Sequence, residues 1–381
     1  MPSRTETAQA AAAGLRTFAA SIKDTHVLIG FDGFVDAIID VVDKRHDVER
    51  YDPIHTLAEF GQRIVDSAGR SSNVELVTKL EKLGGNGPIM ANAMATAGFD
   101  VTYIGPLGEG VIHPVFNEFA EIAKLHSIAD PAHTDALEFD DGKLMLGKHA
   151  SLRHVNQDTI DEHLGRDAYV QLVRETTFLG MVNWTMLTRL NTIWKTLIED
   201  VLPQMDNDRT IFIDLADPGK RTREDLAEAM ELTKKLNTES RVVVGFNQYE
   251  AAQVAEVLGV PVPDTDEAQK AAIEQIALDL REALEVHSVC VHPREGAAAA
   301  IRTDAGVESA LFKGPFVAKP KLSTGAGDNF NAGFCLGLLA GLPIDQCLCT
   351  GTATSGFYVR NAHSPSLDEL AAFCDDLPAP E

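Results

Sequence analysis

Apolar residues in this chain gather in short runs, and most stretches between the runs repeat apolar positions every three to four residues. The runs His26–Gly30 (HVLIG), Val101–Gly105, Phe178–Val182, Thr210–Leu215, Arg241–Phe246 and Val286–His292 read as strands. Ile193–Leu202, Arg223–Leu236, Tyr249–Leu258 and Glu267–Glu285 carry the helical period, and residues 5–22 form an amphipathic helix ahead of the first strand. Successive parallel strands need a crossover, and a helical crossover covers the sheet it leaves. The expected fold is therefore α/β, with a mostly parallel central sheet between helices.

Two stretches break the alternation. Residues 38–80 are polar and mixed, with a helix expected around Leu57–Ser67. Within 136–154, ALEFDDGKLML places two short apolar runs around an Asp-Gly turn, the mark of a β-hairpin. Segments inserted between the strands of a parallel sheet are candidates for a lid. No internal repeat or low-complexity linker is visible, so 1–381 reads as one domain, frayed only in the Pro- and acid-rich tail after Leu377.

Charge narrows the choice of partner. Asp and Glu number 57 against 33 Lys and Arg, for a net charge of −24. Nucleic acid and anionic membranes need a basic face, so neither is an expected partner. A small phosphorylated ligand remains open, because backbone N–H groups and one or two local cations suffice to bind it. No uninterrupted apolar window of about 18 residues predicts a membrane span. The Ala-rich start has no apolar core of the signal-peptide kind. Five cysteines lack paired spacing and partner ligands, which predicts reduced thiols in a cytoplasmic protein.

Four local patterns carry chemistry. In Ser323–Phe334 (STGAGDNFNAGF), the small residues Gly325, Ala326 and Gly327 turn the backbone tightly into an apolar helix. A helix N-terminus opened by glycine presents unpaired N–H groups to an oxyanion. Asp328, in the first turn, is placed to take a proton from an attacking hydroxyl. The plainer alternative is a capped helix whose Asp complements the dipole. Gly84-Gly85-Asn86-Gly87-Pro88 precedes an Ala-rich helix; there a ligand can approach the backbone at Gly85 while the Asn86 amide meets a polyol, or the turn is simply a helix entry. Gly30-Phe31-Asp32-Gly33-Phe34-Val35-Asp36 ends the first strand, where open α/β sheets place ligands; Asp32 and Asp36 bind paired hydroxyls or cap a turn. Asn247-Gln248-Tyr249-Glu250 follows a strand. These residues form a capping box, or Glu250 serves Mg²⁺ through water. No strand leads into G-x-G-x-x-G, and no G-K-[ST] follows a glycine-rich loop, which excludes dinucleotide-dependent dehydrogenases and P-loop enzymes.

Taken together and in this order, the Gly-Gly loop near residue 85, the NxxE after a strand and TGAGDNFNAGF resemble the PfkB carbohydrate kinase family, the ribokinase-like sugar and nucleoside kinases. The resemblance implies a three-layer α/β/α domain with a small lid. It implies an ATP-dependent kinase acting on a hydroxyl of a small sugar or sugar-like substrate, with Mg²⁺. Asp328 would be the catalytic base and the Gly325–Asp328 backbone, including Ala326 and Gly327, the anion hole. Asn247 and Glu250 would serve Mg²⁺ and phosphate, Glu250 through water, while Asp32, Asp36, Gly85 and Asn86 would meet the substrate. Adenine would lie near Ala353 to His363, where Asn361 is the candidate contact, with Gly296 retained from the nucleotide loop. A homodimer is expected. The alternatives are a nucleoside kinase of the same fold and a non-catalytic sugar- or nucleotide-binding protein. Three places depart from the family's pattern: Pro88-Ile89 stands where an Asn is usual, Leu322 where potassium-activated members carry Asp, and Val291-His292-Pro293 in place of Thr-x-Gly. No potassium requirement is expected.

Overall fold

The computed structural model describes residues 2–206 and 209–381. Its first strands are β1 (His26–Gly30), β2 (Phe34–Arg45), β3 (Tyr51–Pro53), β4 (Leu76–Gly84), β5 (Asp100–Pro106), β6 (Lys124–Ala129) and β7 (Ala132–Phe139). They are followed by β8 (Gly142–Lys148), β9 (Phe178–Met181), β10 (Thr210–Asp214), β11 (Arg241–Phe246), β12 (Ser288–Val291), β13 (Gly296–Thr303) and β14 (Gly306–Lys313). Nine form one sheet in the order β14-β13-β12-β11-β10-β9-β1-β5-β6. From β12 to β6 every pairing is parallel, and each strand read from an apolar run lies in that parallel stretch.

The runs are continuous rather than alternating because both faces of the sheet are covered. Side chains of one strand point alternately into two cores. Leu28, Ile211, Ile213, Val242 and Val244 join the core under the helices Arg223–Glu239 and Ile273–Leu284. Val27, Ile29, Phe212 and Val243 join the core under Asn86–Ala97, Ala326–Leu339 and Ile344–Asn361. All five cysteines are buried and free. No helix among the described residues is long and apolar enough to cross a membrane. The stretch expected as one helix over Glu267–Glu285 is two, Asp266–Ala271 and Ile273–Leu284, parted at Ala272.

Two parts of the sheet architecture were not expected. The antiparallel hairpin β13–β14 extends one edge, turning between Thr303 and Gly306. Its buried stretch is Ala297 to Ala300, and alanine is a poor strand former, so no apolar run announced it. The second is the extent of strand in residues 38–80. Only Leu57–Asp66 is α-helical there, whereas β2 and β4 pair along Phe34–Val41 and Leu76–Gly84. In β2 buried residues lie on both faces, which hides the alternation, and β4 exposes Lys79, Leu80 and Glu81, which reads as loop. With the β7–β8 hairpin these strands form a second sheet, β3-β2-β7-β8 with β4 on β2. A small core of Ile39, Val41, Ile54, Phe60 and Leu137 holds it, with Phe60 stacked on Phe139 at 5.6 Å. β1 leads through residues 31–33 straight into β2, so this sheet begins at the carboxyl end of the main one.

Candidate active site

Three helix N-termini converge where the parallel strands end. The first belongs to Ala326–Leu339. Its N-cap Gly325 has φ 89° and ψ 2°, and a Cβ there would lie 3.0 Å from the Tyr358 hydroxyl and 3.2 Å from Ile89. Both constraints require glycine. The loop is braced from several sides. The Tyr358 hydroxyl donates to the Thr324 carbonyl at 2.8 Å, while the backbone and side-chain N–H of Asn329 reach the Gly325 carbonyl at 3.0 and 2.9 Å. Ala326 N–H turns back onto the Ser323 carbonyl at 3.2 Å.

Asp328 is the third residue of this helix and 9 % exposed. Its Oδ1 accepts from Asn86 Nδ2 at 2.8 Å. Burial pushes its carboxyl up to about 8; the Asn86 bond opposes that, and the charges of Asp32 and Glu250 add to it.

Asn86 opens the second helix, Asn86–Ala97, after Gly85 at φ 97°. That helix has no cap from its own chain segment. Asp32 caps it from the end of β1, accepting from Asn86 N–H at 3.0 Å and Gly87 N–H at 2.8 Å. Asn183 Nδ2 donates to the same carboxylate at 2.6 Å, and the Tyr103 hydroxyl lies 3.3 Å from it. Asp32 is fully buried, and desolvation raises its carboxyl to about 6 against these contacts, while the Tyr103 hydroxyl donates to the Asp32 carbonyl at 2.5 Å. Its acceptor positions are filled by the protein, so it shapes the Gly85-Asn86 loop and does not face a ligand. Asp36 stands differently. It lies opposite Lys82 in register, with its carboxylate over Gly84, where a Cβ would meet its Cγ at 2.4 Å. Burial raises its carboxyl, while the Thr134 hydrogen bond, Lys82 and Lys143 lower it.

The third N-terminus belongs to Gln248–Leu258. Asn247 and Glu250 form a full capping box, with Asn247 N–H on Glu250 Oε2 at 2.8 Å and Glu250 N–H on Asn247 Oδ1 at 2.9 Å. The other Glu250 oxygen accepts from Asp217 N–H at 3.1 Å. Asp214, at the end of β10, is buried beside Glu250 and Asp328. Desolvation and those two charges hold its carboxyl well above the usual range, although Asn331 Nδ2 donates to it at 2.7 Å.

Between this helix and Ala326–Leu339 opens a cavity of about 400 Å³, and Asn247, Gly296, Ala326 and Gly327 all line it. Ser355, Gly356 and Val359 line it from Ile344–Asn361, as does His292, whose ring lies 4.4 Å from that of Phe330. His292 Nε2 finds no partner in the protein, and burial lowers that ring to about 4. Asn361 is not brought here. It is exposed at the end of its helix, with its amide turned onto the Phe357 carbonyl at 3.0 Å. A wider depression of about 610 Å³ beside Leu57–Asp66 shares no lining residue with the cavity and holds none of these groups.

Among the described residues no cluster of three or more His, Cys, Asp or Glu can hold a metal directly. The donor set does fit a divalent ion that keeps its water. Two buried carboxylates, Asp214 and Glu250, repel each other, Asn247 bonded to Glu250 lines the cavity, and the buried Asn331 Oδ1 has no partner.

The sequence patterns thus bring Asp328, Asn86, Gly85 and Asp36 to one side and Asn247, Glu250, Gly296 and Gly327 to the other. Asp214, Asn183, Tyr358, Lys82 and Lys143 were not foreseen. Asp214 and Asn183 follow from the rule that singled out Asp32, since both stand at the carboxyl ends of parallel strands. Asn183 carries φ 61°, a left-handed backbone that no sequence pattern marks.

The sequence model for the family described as prokaryotic ketohexokinase matches residues 3–377. The ketohexokinase of Haloferax volcanii is 31% identical over 350 residues, 91% of this chain and 90% of its own. Two solved structures share the fold. A carbohydrate kinase from Agrobacterium tumefaciens has a TM-score of 0.62 at 16% identity, covering 93% of this chain and 98% of its own. Arabidopsis thaliana ribokinase, complexed with ribose and ATP, has a TM-score of 0.61 at 15% identity, covering 92% and 99%.

Proposed function

The chain belongs to the prokaryotic ketohexokinase family and is a carbohydrate kinase, and on that footing we propose that it moves the γ-phosphoryl group of ATP to a hydroxyl of a ketohexose, with Asp328 as general base. The observation that carries the reading is the position of Asp328. Its helix supplies Ala326 and Gly327 to the cavity on one side, and its carboxylate holds the Asn86 amide on the other.

ATP lies in the 400 Å³ cavity with its phosphates toward the N-terminus of Ala326–Leu339, where the helix dipole favours negative charge. The ketohexose lies between the Gly85-Asn86 loop and Asp36. Asp328 takes the proton of the attacking hydroxyl as the new O–P bond forms and the bond from the γ-phosphorus to the β,γ-bridging oxygen breaks, releasing ADP. A carboxyl with its proton affinity raised to about 8 is a stronger base in its ionised form than an ordinary one. Bound through water to Glu250 and Asp214, Mg²⁺ would offset charge on the nucleotide phosphates. The second sheet acts as the lid, excluding water as a competing acceptor. The chain works as one domain in the cytoplasm, as a homodimer; Leu76, Leu80 and Met145 on the second sheet are exposed.

The test is ADP release with Mg·ATP across ketohexoses, aldohexoses, pentoses and nucleosides, with the product identified by phosphorus NMR. Turnover confined to ketohexoses is expected. Turnover on nucleosides alone, or on no sugar, would overturn the reading.

A further inference from the structure

We propose that Glu381 is a positioning residue for the nucleotide: with Arg4 it clasps residues 314–320, so that Val317 and its neighbours form a wall for the base. The inference rests on the reading that places ATP in the 400 Å³ cavity. Gly314, Pro315, Phe316, Val317 and Pro320 line that cavity from a stretch that is neither helix nor strand. With the phosphates at the N-terminus of Ala326–Leu339, the apolar side chains of Pro315, Phe316, Val317 and Val359 are left to meet the base. Among the described residues three hydrogen bonds reach the backbone of 315–320, and Glu381 makes two of them. Its N–H donates to the Phe316 carbonyl at 3.1 Å, and its Oε2 accepts from Ala318 N–H at 3.0 Å. Val317 is thereby bracketed on both sides. The third bond runs from Arg360 Nη2 to the Phe316 carbonyl at 3.4 Å.

Arg4 anchors the segment that carries Glu381. The tail after Leu377, expected to fray, is held instead: Arg4 Nη1 and Nη2 donate to the Leu377 and Pro378 carbonyls at 3.3 and 2.6 Å. The same guanidinium gives its Nε to the Lys313 carbonyl at 2.9 Å and lies 5.9 Å from the centre of the Phe312 ring. One side chain thus ties the tail to the residue just ahead of 314–320, and Glu381 ties the tail to the middle of that stretch. The planar fork of a guanidinium suits such bridging, which a lysine ammonium does not reproduce. A stretch without its clasp must be ordered when the base arrives, so apparent affinity falls with the fraction of molecules in which the wall is formed. The phosphates bind at the helix N-terminus, and their share of the affinity does not depend on the clasp.

The experiment compares Glu381→Ala, Glu381→Gln and Arg4→Met with wild type in the full chain. It measures kcat, the KM for Mg·ATP and for the ketohexose, the calorimetric Kd of Mg·AMP-PNP, and the inhibition constant of Mg·tripolyphosphate, which carries no base. Glu381→Ala and Arg4→Met are each expected to raise the ATP KM and the AMP-PNP Kd about fivefold. The kcat, the ketohexose KM and the tripolyphosphate constant are expected to stay within about twofold of wild type. Glu381→Gln keeps an acceptor for Ala318 N–H and is expected to bind nucleotide as wild type does. An AMP-PNP Kd unchanged in Glu381→Ala overturns the proposal, as does tripolyphosphate weakened as much as AMP-PNP. Thermal unfolding of the variants checks that the fold is intact. A wild type that binds no Mg·AMP-PNP and turns over no sugar would instead sink the kinase reading on which the proposal stands.

Discussion

The side-chain amide of Asn86 donates to Oδ1 of Asp328 at 2.8 Å, joining the first residue of one helix to the first turn of another 242 positions later. This bond places a hydrogen-bonding group of the acceptor loop on the proposed base. It also works against the burial that raises the Asp328 carboxyl to about 8.

The pH dependence of turnover follows. The base acts ionised, so kcat/KM falls about tenfold per pH unit below the apparent pKa of the free enzyme and levels off above it. Because Asn86 stabilises the charged form, Asn86→Ala is expected to move the inflection to higher pH. Rate profiles from pH 5.5 to 9.5 check this, and an inflection displaced to lower pH contradicts it.

Stability should follow pH in the opposite sense to activity. The folded-state values of Asp32 and Asp328, about 6 and about 8, lie above the ordinary carboxyl range. The folded protein therefore binds more protons than the unfolded chain. Stability from these groups is full below about pH 4 and is lost as pH rises through their folded values. Asp328→Asn cannot ionise, so it is expected to match wild type in urea midpoint only near pH 4 and to exceed it at pH 8.5. Equal midpoints at pH 4 and pH 8.5 contradict the burial penalty.

Asp32→Asn probes the cap. One acceptor oxygen becomes an N–H₂ facing donors, either Asn86 N–H and Asn183 or Gly87 N–H. A loss of about 3 kcal/mol in unfolding free energy is expected, the cost of orphaned buried donors. Denaturant unfolding measures it, and a change below about 0.5 kcal/mol would show that the cap is dispensable.

Burial and closeness along the chain decided what was legible in advance. Parallel strands were, because burial on both faces leaves continuous apolar runs such as Val242–Val244. Residues grouped in one short segment were too, such as Gly325 to Asp328. Asp32 shows where sequence stops. Its type and place at a strand end suit a ligand contact, but Asn183 and Tyr103 arrive from distant segments and take its oxygens. Lys82 was hidden because charged residues on a partly exposed strand look like loop, whereas Lys143 stood in an expected hairpin with no local pattern to mark it. Asn361 fails for a geometric reason, since two residues past Val359 the helix has rotated about 200° and the amide turns from the cavity onto the Phe357 carbonyl.

Gly325→Ala tests the turn. A Cβ there meets Tyr358 and Ile89 in a left-handed backbone, at a cost of about 1–2 kcal/mol. The expected result is at least about a tenfold fall in kcat, because a small displacement of reacting groups is costly. Unchanged kcat would mean that this loop does not set the geometry of transfer.

The most direct measurement of the central claim is the turnover number of Asp328→Asn on a ketohexose, alongside calorimetric binding of Mg·AMP-PNP. A general base at this position requires kcat to fall by at least about 10²-fold with nucleotide affinity little changed. Near-normal turnover in Asp328→Asn would contradict it and remove Asp328 from the chemistry.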